Sequence, residues 1–258
     1  MPDDVADEKA KTLLALGANI EKVRPASIVD KKQFVNLARQ RALEFGNALN
    51  PIMIGADTIV TTDTHDTPVF NDPFAEEEQN QKPRGFFADQ FENRSNFDTH
   101  YEETGPEIWR QTNGRIDAFV SGSGTGGTIS GIGRFLKTMT HDLKVILADP
   151  EGSGLYNKVK YGVMFDPKEA EGTKRRHQVD TVVEGIGINR LTKNFQMGLP
   201  TIDDAFRITD KEAVAMSRYL VQNDGLFLGS SSACNLVACI KLAKQMKWKE
   251  KQVIVTIL

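Results

Sequence analysis

Apolar positions recur along this chain with two different periods. Over residues 30–45 the spacing is helical through Phe34, Leu37, Ala38 and Arg41, with Gly46 as the terminator. Residues 7–16 read the same way and close at Gly17, and residues 103–111 are also helical. Residues 211–221 form another predicted helix, N-capped by Thr209 or Asp210, and residues 230–246 a further one, opened by three serines suited to capping or to gripping an anion. Between these lie short strand-like runs at 20–23 (ended by Arg24 and Pro25), 86–91, 116–120, 144–149 and 226–228. Residues 253–258 are continuously apolar, as in a strand buried on both faces. Helix and strand alternate, which predicts an α/β fold with a mostly parallel sheet and flanking helices.

Two regions break the pattern. Residues 47–85 include the acidic, polar stretch 72–83, which carries Pro73 and Pro83. It reads as a solvated loop or insertion without assignable function. The chain also stops at Leu258, the last residue of a predicted buried strand, with no turn or polar tail after it. Natural ends are usually exposed and frayed, so a cut chain is expected.

Composition narrows the function classes. The 258 residues are 40% hydrophobic and 26% charged, ordinary for a globular protein. A net charge of −3 with dispersed basic residues predicts no nucleic-acid or membrane partner. No apolar run approaches membrane-spanning length. The acidic first eight residues argue against a leader on this chain, and a cytoplasmic location is expected, with a mitochondrial one open to a full-length parent. Cys234 and Cys239 lie five apart on a predicted helix and point to different faces, so they form neither a redox pair nor a metal site. His65, His100, His141 and His177 lack metal-ligand spacing; surface or structural roles are expected, and no metal.

The chemistry concentrates in residues 121–128, Ser-Gly-Ser-Gly-Thr-Gly-Gly-Thr, between the strand-like run at 116–120 and a helix-like segment at 129–136. Glycines let the backbone approach a phosphate, amide N–H groups turn inward, and the emerging helix adds its positive end. The hydroxyls of Thr125 and Thr128 can donate to the same oxygens. Gly122, Gly124 and Gly127 also satisfy the dinucleotide spacing G-x-G-x-x-G, and Asp149 ends the next predicted strand where a ribose-binding carboxylate would sit. Locally, a pyrophosphate, a monophosphate and a ligand-free turn remain open.

Four patches in order along the chain carry a resemblance. They are Gly124-Thr125-Gly126-Gly127-Thr128; residues 89–96 (DQFENRSN) followed by 104–109 (TGPEIW); Glu184-Gly185-Ile186-Gly187; and residues 225–233 (GLFLGSSSA). Together they resemble the cysteine synthase and cystathionine β-synthase family of fold-type-II pyridoxal-phosphate enzymes, in particular its fungal cysteine-synthase-like branch. The resemblance implies an incomplete tryptophan-synthase-β-like α/β fold. Residues 1–46 would be a remnant of the smaller mobile domain, 47–85 an insertion, and 86–258 the larger, phosphate-binding domain. It implies pyridoxal 5′-phosphate as cofactor, with its phosphate on Gly124, Thr125, Gly126, Gly127 and Thr128. Gly185 and Gly187 would let the backbone pass the ring, Ser230 would sit at the cofactor or serve as a plain N-cap, and Gln90 would face the substrate carboxylate or the ring 3′-oxygen. Ser232 stands where the family has glycine, and Asn189-Arg190 replaces a pair that is often small or aromatic.

The family's Schiff-base lysine, in an S-x-K-D-R-type segment, has no counterpart here, and neither has the T/S-S-G-N loop that clamps the substrate carboxylate. Lys158 and Lys160 belong to a different, solvated loop. The serine that faces the pyridine nitrogen falls after Leu258. The resemblance therefore implies β-replacement, O-acetylserine and sulfide giving cysteine, for the lineage, with no catalytic residue assigned in this chain and no activity expected of it alone. The partners implied are an amino-acid substrate and a homodimer, or a heterodimer with a full-length homologue in which this chain is non-catalytic. A nicotinamide-binding dehydrogenase is the alternative from another class.

Overall fold

The computed structural model describes residues 1–3, 5, 7–26, 30–45, 85–164 and 181–258. The stretch 47–84 of the expected insertion lies outside these residues. The chain forms two compact units, Met1–Asp89 and Gln90–Leu258.

In the first unit, helix α1 (Asp7–Ala15) ends just before Gly17, whose φ of +85° places it in the left-handed region. The strand expected at 20–23 reduces to one parallel bridge between Pro2 and Val23. Its two bonds run from the Val23 N–H to the Met1 carbonyl and from the Asp3 N–H to the Val23 carbonyl, both 2.9 Å. Helix α2 (Phe34–Glu44) starts later than its periodicity suggests, because the buried Gln33 side chain accepts the N–H groups of Val35 (2.6 Å) and Asn36 (3.4 Å) and caps it. Residues 86–91 form no strand; the backbone turns at Asp89, where φ is +46°. The buried Asp89 carboxylate receives Arg39 at 2.9 Å, and that guanidinium lies over the Phe87 ring.

The second unit is built on a parallel sheet of β1 (Ala118–Gly122), β2 (Lys144–Pro150), β3 (Asp204–Ile208) and β4 (Ile254–Thr256), in the order β3-β2-β1-β4. Successive residues of the central strands feed two cores. Phe119, Val145 and Leu147 pack on one face with Ile129, Ile132 and Leu136; Ala118, Val120, Ile146 and Ala148 pack on the other with Cys234, Val237, Ala238 and Leu242. Period-2 alternation thus delivers apolar side chains to both faces, which is why these strands read as unbroken apolar runs. The two helices that supply these partners are α5 (Gly127–Met139) and α9 (Ser230–Gln245). Full burial of Ile129, Ile132 and Leu136 contributes about 1.5–3 kcal/mol each.

The remaining helices are α3 (Ser95–Thr99), α4 (Gly105–Gln111), α6 (Leu155–Tyr161), α7 (Lys193–Gly198) and α8 (Asp210–Tyr219), with π-helical turns at His100–Thr104 and Leu220–Asp224 and a 3₁₀ turn at Leu199–Thr201. Several elements differ from the sequence-based expectation. β3 has no counterpart there, because in Asp204-Ala205-Phe206-Arg207-Ile208 only Ala205 and Ile208 are buried. Lys158 and Lys160 lie on α6, not in a loop. Residues 226–228 form no strand; Phe227 is 93% exposed and has no ladder to join. β4 is half-buried rather than enclosed, since among the described residues it pairs with β1 alone. Thr209 is the N-cap of α8, in a reciprocal capping box with Glu212. Among the described residues no helix is long and apolar enough to cross a membrane, and no cluster of metal-ligating side chains occurs.

Candidate functional site

The strand order reverses at β1: β2 and β3 extend to one side, β4 lies on the other. Connections leaving such neighbours diverge to opposite faces, which opens a crevice beyond their carboxyl ends. A pocket of about 240 Å³ occupies that position. Its wall is residues 121–126, Thr128 and Ile129 after β1, Gly185 and Ile186 from the facing loop, Ser231, Ser232 and Asn235 of α9, and Ile257 and Leu258 after β4. Among the described residues, no charged side chain lines it.

The glycine loop is held from several directions. Its base is tied by Asn235, whose Oδ1 accepts the Gly122 N–H at 2.7 Å while its Nδ2 donates to the Ile257 carbonyl at 2.9 Å. Thr192 donates to the Thr125 carbonyl at 2.7 Å, and the Gly187 N–H donates to the Ser123 carbonyl at 2.8 Å. Asn96 donates to the Thr125 hydroxyl at 2.9 Å and to the Gln90 carbonyl at 2.7 Å. The Thr128 hydroxyl lies 3.0 Å from His100 Nε2. Two glycines are demanded by this geometry. A Cβ on Gly124 would sit 2.4 Å from the Gly185 carbonyl oxygen, and Gly126, with φ +93°, would place one 2.6 Å from the Phe195 backbone.

What the loop leaves free is a set of donors. Among the described residues, the N–H groups of Gly124, Thr125, Gly126, Gly127 and Thr128 have no acceptor, and Gly126 caps the thirteen-residue α5 without a side-chain bond. The Ser123 hydroxyl is buried and unpartnered. Since Thr125 Oγ1 accepts from Asn96, its own proton remains available. Unmet amides, free hydroxyls and a helix N-terminus fit a phosphate. They fit the cofactor phosphate that the family resemblance implies.

Gly124, Thr125, Gly126 and Thr128 line the pocket, and Gly127 opens α5 behind them. Gly185 joins the wall, whereas Gly187 holds the loop through its amide. Ser230 accepts the Glu184 N–H at 3.2 Å and so pins the facing loop; Ser231 and Ser232 are the serines in the wall. Gln90 is exposed and outside the wall, and its carbonyl takes the Asn96 and Asn194 amides. Lys158 donates to the Gly162 carbonyl and Lys160 pairs with Asp204, so neither enters the pocket. Asp149 is fully buried and accepts the Tyr156 N–H at 2.7 Å, outside the pocket wall. A dinucleotide is thereby left without its ribose carboxylate. Asn235, Asn194, Thr192 and His100 give no signal in the sequence, because single polar residues carry no period. Asn96 closes the motif at 89–96, and its place there is the one sign that could have pointed to it.

Residues 45–258 match the family described as pyridoxal-phosphate dependent enzyme. The chain is 51% identical over 246 residues to cysteine synthase 2 of Schizosaccharomyces pombe, covering 95% of this chain and 55% of that protein. It is 51% identical over 246 residues to cysteine synthase 2 of Emericella nidulans, covering 95% and 53%. The chain thus spans about half the length of these curated relatives. The crystal structure of the O-acetylserine dependent cystathionine beta-synthase from Helicobacter pylori aligns with a TM-score of 0.55 at 29% identity, over 72% of this chain and 54% of that one. A phosphate-fitting crevice, a family match over residues 45–258 and fungal cysteine synthases at half identity agree: this chain belongs to the pyridoxal-phosphate dependent enzymes.

Proposed function

We propose that this chain supplies the phosphate-holding half of a cysteine-synthase-type site, in which acetate leaves the Cβ of O-acetylserine and hydrosulfide takes its place to give cysteine. The observation that carries this is the set of unmet donors at the switch point, the amides of residues 124–128 with the Ser123 hydroxyl. Those groups, with the Thr125 and Thr128 hydroxyls, hold the 5′-phosphate of pyridoxal phosphate. When bound, the cofactor supplies an electron sink for charge developing at the substrate Cα. Gly185 presents backbone without a side chain to the ring; Gly187 ties that loop to the glycine loop and Ser230 ties it to α9. Gln90, at the turn that Asn96 ties to Thr125, is assigned to the substrate carboxylate.

Among the described residues no lysine lines the pocket, and we assign no tethering or proton-moving residue. The same observation favours a second reading, a cofactor-holding but non-catalytic partner of a full-length homologue. Two free thiols suit a reducing compartment, cytoplasmic or mitochondrial.

The test is to titrate the purified chain with pyridoxal phosphate, dialyse it, treat it with borohydride and map the peptides. Saturable, dialysable binding that inorganic phosphate competes away is expected, with no single labelled lysine. Binding indifferent to phosphate would overturn the cup. A band that survives dialysis and maps to one lysine, with cysteine formation, would overturn the assignment of no tether. Co-purification with an intact homologue supports the second reading.

A further inference from the structure

We infer that His100 is a positioning residue for the bound phosphate: its Nε2–H donates to the Thr128 hydroxyl oxygen, which aims the Thr128 proton into the cup. The inference rests on the phosphate reading above and deepens it.

The geometry is a three-group chain. Thr104 Oγ1 lies 3.0 Å from His100 Nδ1, and Thr128 Oγ1 lies 3.0 Å from His100 Nε2. A neutral imidazole donates from one nitrogen and accepts at the other. With the proton on Nδ1, Nε2 must accept the Thr128 hydroxyl proton, and Thr128 turns only lone pairs toward an anion. With the proton on Nε2, Thr104 donates to Nδ1, His100 donates to Thr128, and the Thr128 proton is free for a phosphate oxygen. An anion in the cup therefore selects the Nε2–H form, since the alternative sets acceptor against acceptor. Burial disfavours the charged ring and holds His100 below its ordinary value.

The fold brings this ring to the cup by a specific device. His100 opens the π-helical turn His100–Thr104 between α3 and α4, an irregularity frequent at functional sites. That turn crosses α5 at Gly131, where a Cβ would meet the Phe97 carbonyl oxygen at 2.5 Å and His100 Cβ at 2.7 Å. Gly131 lies three residues after Thr128, on the same side of the helix. The missing side chain at 131 thus admits the backbone of His100 beside the Thr128 hydroxyl.

The experiment measures dissociation constants of inorganic phosphate and pyridoxal phosphate by calorimetry for the wild-type chain, H100Q, H100N, T128V and H100N/T128V. A glutamine amide nitrogen reaches the place of Nε2 and keeps the donor, whereas asparagine falls short. H100Q should stay within about three-fold of wild type and H100N should weaken roughly ten-fold, the effect of one charge-assisted hydrogen bond. H100N should add nothing on the T128V background. Equal weakening by H100N on both backgrounds would overturn the inference and make His100 merely structural. On the wild-type chain, two-bond ¹⁵N–¹H spectra of the phosphate-saturated form should show the Nε2–H tautomer. The Nδ1–H tautomer would overturn the inference whether or not any variant folds. Failure of the wild type to bind phosphate would instead remove the cup itself.

Discussion

Replacing Asn235 by alanine should destabilise the larger unit by an amount that its two hydrogen bonds set. Asn235 is 5% exposed on α9, and its side-chain amide joins the end of β1, through the Gly122 N–H, to the residue after β4, through the Ile257 carbonyl. Gly122 is buried, so truncation strands its N–H without water, at a cost of about 1–3 kcal/mol. The half-buried Ile257 carbonyl regains some solvent and loses about 0.5–1.5 kcal/mol. The sum is roughly 1.5–4.5 kcal/mol. At roughly 2–4 °C per kcal/mol for a unit of this size, the melting midpoint should fall by roughly 3–18 °C. Urea and thermal unfolding followed by the fluorescence of Trp109 and Trp248, the chain's two tryptophans, would measure it. Asn235→Asp sharpens the test. It keeps an acceptor for Gly122 but sets a negative charge against the Ile257 carbonyl, so it should be no more stable than the alanine variant at pH 7 and recover as the carboxylate protonates in acid. A change below about 0.5 kcal/mol for alanine would refute the view that this amide closes the floor of the pocket.

Gly124→Ala should lower stability by about 1–3 kcal/mol, because the added Cβ meets a backbone carbonyl that cannot swing aside, and phosphate affinity should fall with it; an alanine variant binding phosphate as wild type would refute the close approach. Burial pushes the Glu212 carboxyl up, but bonds from Lys241 and from the Thr209 amide and hydroxyl more than offset it, leaving it below its ordinary 4.5. A depressed folded value stabilises above the unfolded one, so the deficit of Glu212→Gln should be full at pH 7 and vanish as pH falls from 4.5 through the lowered value; chemical unfolding across that range measures it, and a pH-independent deficit would count against the reasoning. Burial pushes the thiols of Cys234 to about 12 and Cys239 to about 11, so at pH 8 the folded chain should resist an aromatic disulfide reagent and release two thiol equivalents only on unfolding; fast native labelling would contradict this.

The anion cup is legible in the order of residues, because glycines, threonines and an apolar run at that spacing act through the backbone next to them. The same holds for Gly17 behind α1 and the Thr209–Glu212 box opening α8, each a contact within a few residues. Local patterning fails where the partner lies far away. β3 is a strand only because β2 offers it a ladder from Ile146↔Asp204 to Pro150↔Ile208; its own five residues show weak alternation. Residues 226–228, apolar enough for a strand, have no ladder and stay exposed. Ser230 accepts the Glu184 N–H and the Gln90 carbonyl accepts the Asn96 amide, contacts that their motif positions do not announce.

Short-range chemistry, then, is written in the amino-acid sequence alone: the α/β alternation, the helix caps and a glycine-rich loop between strand and helix. Placement over long separations belongs to the folded chain. Asn235 reaches Gly122 across 113 positions, Thr192 reaches Thr125 across 67, and His100 reaches Thr128 across 28. Each is one polar side chain without a period to announce it, and its bond forms only once two packed cores have brought the sheet ends, α9 and the π-helical turn around one crevice. A hydrogen bond needs its partner within about 3 Å. Backbone preference does not encode that proximity; close packing creates it.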